Sequence, residues 1–118
     1  MPDASPIRST RDGDVTCVTF TEGRITDEIV IHQIGQEVLK LVDSDAQPKM
    51  LLDFSGVEHL SSAALGVLIS VHNRVKSRSG QLRLCAISKP IFEVFRITRL
   101  DKLFQVHATA DQAKQSLA

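Results

Sequence analysis

Asp53, four histidines and the pair Ser61-Ser62 are the side chains best placed by type and spacing to carry chemistry. Asp53 follows the apolar run Met50-Leu51-Leu52, at the strand end where α/β folds put working residues. One carboxylate alone is no acid–base pair. Its expected task, with Ser55 two residues on, is to support the loop by binding backbone amides. His32, His59, His72 and His107 lie on separate segments without H-x-x-x-H or HExxH spacing, so no metal is expected. His72 is placed on the core side of its helix as a buried imidazole. Ser61 and Ser62 have no GxSxG elbow around them and read as helix caps. Neither GxxxxGK[ST] nor GxGxxG occurs, so neither common phosphate loop is present and no cofactor is expected. Cys17 and Cys85 sit in separate apolar stretches outside any CxxC, which reads as two buried, reduced thiols. These residues do not converge, and no enzyme is expected.

The elements that must position them follow from pattern. Val15 to Phe20 is rich in β-branched residues and reads as a strand. After a turn at Thr21 to Arg24, Thr26 or Asp27 caps a helix whose stripe is Ile31, Ile34, Val38, Leu41 and Val42. Met50 to Phe54 is a short apolar run between Pro48 and Gly56, expected as a central strand buried on both faces. Ser61 or Ser62 then starts a helix running to about Ser79 and ending at Gly80. Gln81 to Ile87 is the next strand, and Pro90 opens a short helix through Ile91, Val94 and Phe95. Leu103 to His107 is the last strand, and Thr109 with Gln112 forms a capping box for a final helix. The order βαβαβαβα predicts an α/β fold with a mostly parallel sheet. Residues 1–12 are expected as a loose segment or an edge strand, and 13–118 as one domain.

Composition narrows the function classes. The 118 residues are 42% hydrophobic and 24% charged, enough for one core and unlike a disordered chain. Lys plus Arg and Asp plus Glu both number 14, so the basic excess of a nucleic-acid binder is missing. Trp and Tyr are absent, and the five Phe residues make no stacking platform in a basic cluster. The apolar runs fall short of the about 20 residues a membrane span needs. The acidic, proline-containing start Met1-Pro2-Asp3-Ala4-Ser5-Pro6 does not read as a secretion signal. A cytoplasmic protein is expected.

The helix from Ser62 holds the remaining signal. At about 100° per residue, Leu65, Leu68, Ile69, His72 and Val75 are expected to face the sheet. Ala63, Val67 and Val71, rimmed by Ser70 and Arg74, then point the other way. An outward apolar patch with a basic rim fits a protein-docking surface, unless another part of the domain covers it.

The stretch Leu51-Leu52-Asp53-Phe54-Ser55-Gly56-Val57-Glu58-His59-Leu60-Ser61-Ser62-Ala63-Ala64-Leu65-Gly66-Val67-Leu68 resembles the signature of the STAS domain, found in bacterial anti-sigma factor antagonists and in sulfate-transporter tails. Weaker matches are Gly23-Arg24-Ile25, Ser88-Lys89-Pro90 and Arg99 to Phe104. The resemblance implies a partner: an anti-sigma factor that is also a histidine-kinase-like serine kinase, binding the loop and helix after the central strand. In the family that kinase phosphorylates a Ser or Thr within D-[ST]-[ST]-G-L, which ends binding; a phosphatase or self-association is the further partner considered for this chain. Aligned without gaps, the pattern falls on Ser61-Ser62-Ala63-Ala64-Leu65, so the acceptor position holds Ala63. The acidic positions hold Ser61 and Thr26, and the glycine position holds Ala64. The implied partner-binding residues are Ser61, Ser62, Ala63, Val67, Val71 and Arg74.

Two mechanisms follow: an unswitched binding module, or a switch displaced to Ser62, where phosphate would meet the positive end of the helix. Two other STAS-type roles stand beside the antagonist, a scaffold subunit of a sensory assembly and a small-ligand or nucleotide-binding domain.

Overall fold

The computed structural model describes residues 5–117; residues 1–4 of the segment expected to be loose lie outside that range. Five strands form the main sheet: β1 (Ile7–Asp12), β2 (Val15–Phe20), β4 (Lys49–Asp53), β6 (Gln81–Cys85) and β7 (Gln105–His107). They lie side by side in the order β1-β2-β4-β6-β7. β1 pairs antiparallel with β2, and every other pairing in this sheet is parallel. A separate parallel pair joins β3 (Arg24–Ile25) to β5 (His59–Leu60). The helices are α1 (Glu28–Asp43), α2 (Ser62–Ser77), α3 (Lys89–Ile97), α4 (Leu100–Leu103) and α5 (Ala110–Ser116).

Parallel neighbours need a crossover, and α1, α2 and α3–α4 supply one each. α1, α2, α3 and α4 bury their apolar sides on one face of the sheet, against Val18, Phe20, Met50, Leu52, Phe54, Leu82 and Leu84. α5 covers the other face, where Ala113 and Leu117 meet Val15, Leu51 and Cys85. Central β4 therefore sits between two layers, and Met50, Leu51 and Leu52 are all buried. Such burial on both faces is why its sequence is a continuous apolar run rather than an alternating one.

Local chemistry fixes the ends of the elements. Asp27 caps α1, its Oδ1 accepting the Ile29 and Val30 N–H groups at 2.8 and 3.3 Å. Thr109 Oγ1 accepts the Gln112 N–H at 3.2 Å and caps α5. α2 stops earlier than its pattern suggests. Ser79 takes the left-handed conformation (φ 55°), and the Ser79 and Gly80 N–H groups return to the Lys76 and Val75 carbonyls. Gly80 is needed for a different reason: a Cβ there would lie 2.4 Å from the Pro48 carbonyl oxygen. The last strand is also shorter than expected, because Leu103 belongs to α4 and β7 begins at Gln105.

Candidate functional site

The loop between β4 and α2 is held from below and from the side. Asp53 Oδ1 accepts the Ser55 N–H at 2.9 Å, turning the chain at the end of β4. The Val57 N–H donates to the Phe54 carbonyl at 2.9 Å, and the Phe54 and Val57 side chains sink into the core. From the neighbouring loop, the Gly23 carbonyl accepts the N–H groups of Glu58 (2.7 Å) and His59 (3.1 Å). The Ile25 carbonyl accepts the Ser61 N–H at 3.1 Å. The β3–β5 pair thus clamps the two loops together and brings the N-termini of α1 and α2 to the same end of the molecule. This clamp escapes a reading by periodicity, since two-residue strands have no period.

Ser61 is the N-cap of α2, its Oγ accepting the Ala64 N–H at 3.2 Å. Ser62 and Ala63 follow, both exposed on the first helical turn. The outward line of α2 continues through Gly66, Ser70 and Asn73, all exposed. It is a narrow face of small side chains at the spacing of one helix side.

Val71 does not belong to that face. It is 1% exposed, and the expectation that it points away from the core is wrong. α1 lies against α2, as the option of a covering element allowed. Gly35 of α1 sits so close that a Cβ there would be 3.4 Å from Val67 Cγ1. Val67 is accordingly half-buried at this helix contact. Arg74 is exposed but engaged: its Nη1 donates to both carboxylate oxygens of Asp43, at 2.9 and 2.7 Å, and Arg78 Nε joins at 3.0 Å. The Arg74 guanidinium holds the Asp43 carboxyl below its usual range. Ser61, Ser62 and Ala63 are thus grouped at the start of α2, Val67 and Val71 turn toward α1, and Arg74 ties the helix ends together.

Two neighbours of the loop have no counterpart among the sequence-derived candidates. Ile29, on the first turn of α1, is 79% exposed and lies off the stripe that α1 buries, a departure visible in the spacing. A groove between the loop and α3 is lined by His59, Leu60, Pro90, Ile91 and Val94. Val94 there is 40% exposed.

Among the described residues no three His, Cys, Asp or Glu side chains cluster as a metal site would require. Cys85 is buried and Cys17 only half-buried, so Cys17 departs from the expected full burial; both are free thiols. Burial, helped by the charges of Asp53 and Cys17, pushes the Cys85 thiol up to about 11, away from a reactive thiolate. His72 is half-buried and meets Phe104 edge-on, with ring centroids 5.5 Å apart. What the loop and first turn of α2 offer is an exposed, rigidly held surface.

The sequence profile of the STAS domain matches residues 9–113. The chain belongs to the STAS domain family. A Bordetella bronchiseptica protein named as an anti-sigma factor antagonist, BtrV, is 28% identical over 82 residues, 70% of each chain. The structure of an anti-sigma factor antagonist (STAS) domain protein from Planctomyces limnophilus matches with a TM-score of 0.84 at 27% identity, covering 94% of this chain and 97% of that one. The phosphorylated form of the Bacillus cell fate determinant SpoIIAA matches at a TM-score of 0.73 over 95% of this STAS chain and 99% of its own. At 15% identity that likeness is one of fold. No helix of the described residues is long and apolar enough to cross a membrane.

Proposed function

We propose that this STAS domain is an anti-sigma factor antagonist, a non-enzymatic cytoplasmic protein that docks onto an anti-sigma factor of the serine-kinase type. The docking surface is the loop 55–61 with the first turn of α2, where Ser62 and Ala63 face outward and Ser61 fixes the helix start. Val67 supports this surface from the side, and Arg74 borders its far end. Val71, being buried, takes no part. Docking is not switched by phosphate on the usual residue, because the family's acceptor position holds Ala63.

The observation that carries this reading is the exposure of Ala63 on the first helical turn. The position that would present a hydroxyl to a kinase presents a methyl group instead. Support for the partner class comes from the naming of the relatives, and the SpoIIAA structure in its phosphorylated form shows that a protein of this fold can carry a phosphate. Ser62 is the specific alternative. It is exposed one residue earlier, where the free amides and dipole of α2 would stabilise a phosphate of roughly −2 charge.

The test is to incubate the chain with an anti-sigma serine kinase from its own genome and Mg-ATP, following intact mass and complex retention together. The expected result is a complex that survives ATP and a chain that gains no phosphate. Ala63→Ser should become phosphorylated and then dissociate. Phosphate on Ser62 with release of the wild-type chain would replace the unswitched module by the displaced switch.

A further inference from the structure

β1 is one edge of the main sheet, with no strand of the described residues beyond it. The phase of its hydrogen bonds follows from two observations. The Thr21 N–H donates to the Pro6 carbonyl at 2.8 Å, and a two-residue turn, Gly13 (φ 64°) with Asp14, closes the β1–β2 hairpin at Asp12↔Val15. Bonded and non-bonded pairs alternate along an antiparallel ladder, so Arg8, Thr10 and Asp12 turn their backbone groups toward β2. Ile7, Ser9 and Arg11 turn theirs outward. At Ile7 the outward groups are taken locally, its N–H donating to Ser5 Oγ at 3.3 Å and its carbonyl accepting from the same hydroxyl at 3.0 Å. The outward backbone groups of Ser9 and Arg11 face away from β2, and no other strand of the described residues lies beyond them. A groove runs along this edge, with Ile7, Ser9 and Thr10 on the strand side and Glu37, Lys40 and Leu41 of α1 on the other.

Natural edges are guarded by charges, and β1 carries two arginines. Arg11 is drawn aside, its Nη1 donating to Asp45 Oδ2 at 2.8 Å and Thr16 Oγ1 at 3.0 Å. Arg8 remains exposed, on the same face of the strand as Thr10 and Asp12. We infer that β1 is a self-pairing edge, which joins a second copy of this chain antiparallel across a two-fold axis and makes one continuous sheet of both. An outward residue must pair with an outward residue, and the register that sets Ser9 against Arg11 of the second copy meets this condition. The same register places Thr10 opposite Thr10 and Arg8 directly opposite Asp12, twice, by symmetry. Opposite residues in an antiparallel pair share a face, so both charge pairs meet side chain to side chain. The segment Arg8-Ser9-Thr10-Arg11-Asp12 is thus complementary in charge to its own reverse, which singles out a second copy as the occupant. Asp12 keeps its bond to Lys114 of α5 at 3.0 Å, and a carboxylate can accept from both cations.

Charge reversal tests the register. Sedimentation equilibrium of the wild-type chain should show a monomer–dimer equilibrium. Arg8→Asp sets Asp against Asp, Asp12→Arg sets Arg against Arg, and each should weaken association by about tenfold or more. An equimolar mixture of the two variants restores every opposite-charge pair, so it should associate at least as well as the wild type. Melting temperatures of both variants serve as the control for folding, since both positions are exposed. A wild-type chain that stays monomeric to about 1 mM would overturn the inference. So would single variants that associate like the wild type, or a mixture that fails to recover.

Discussion

Ser61 and Ser62 are adjacent and do different things. Ser61 spends its oxygen on the Ala64 amide, while Ser62 projects from the first turn. The sequence allowed either as the cap, because both are good N-cap residues and the choice depends on where the chain leaves the β5 pairing. Asp53 was legible outright: a lone carboxylate after a strand binds a loop amide, as its bond to Ser55 shows. The imidazole of His72 was legible in direction and overstated in depth, since it is only half-buried, edge-on to Phe104. Burial, and behind it the charge of Lys76, pulls its pKa below the usual 6.5. The folded state then binds fewer protons than the unfolded chain once pH falls to that value. Stability from neutral His72 is complete above pH 6.5 and is lost as pH drops through it toward the lower folded value. Urea midpoints measured from about pH 7.5 to about pH 5.5 should fall for the wild type and fall less for His72→Asn. Equal slopes would contradict the partly buried imidazole. Asp43 and Asp14, held low by Arg74 and Lys49, lose their contributions only at lower pH, as it falls through their depressed values.

At the scale of the element, α2 shows how a correct period can still be rotated. Ala64, Leu68, Val71 and Val75 stand at i, i+4, i+7 and i+11, the stripe that the structure buries. Leu65, Leu68 and Val75 of the expected face are buried too, but completing that face with Ile69 and His72, both half-buried, in place of Ala64 and Val71 leaves Val71 outside. The physical reason lies in α1, which packs against α2 through the gap at Gly35 and moves the buried arc toward itself. A single chain pattern carries no record of that second neighbour. The consequence is measurable. Val71→Glu should abolish or sharply lower the thermal transition, because an unpaired buried carboxylate costs several kcal/mol, on the scale of the whole stability. Arg74→Ala, at the exposed end of the same helix, should leave the transition nearly in place. A V71E variant with the parent's melting temperature would put Val71 back on the surface. The β1–β2 hairpin was less fully read: the Asp12-Gly13-Asp14 sequence is a turn signal, and it lies between two segments of strand-forming length.

Over the whole molecule, the alternation of strands and helices made the α/β layer fold legible, and the double-sided burial of Met50 to Leu52 placed the central strand. The β3–β5 clamp and the placement of α3 beside the loop were not legible, since both depend on contacts between distant, short segments. These are the features that hold Ser62 and Ala63 in place at one end of the domain. The most direct measurement is therefore a calorimetric titration of an anti-sigma serine kinase from the same genome with the wild-type chain and with Ala63→Glu. Ala63 is exposed, so the variant should keep the parent's melting temperature. A charge set into the centre of the proposed docking surface should weaken binding by about tenfold or more. Unchanged affinity of A63E for a partner that binds the wild type would contradict docking through the first turn of α2.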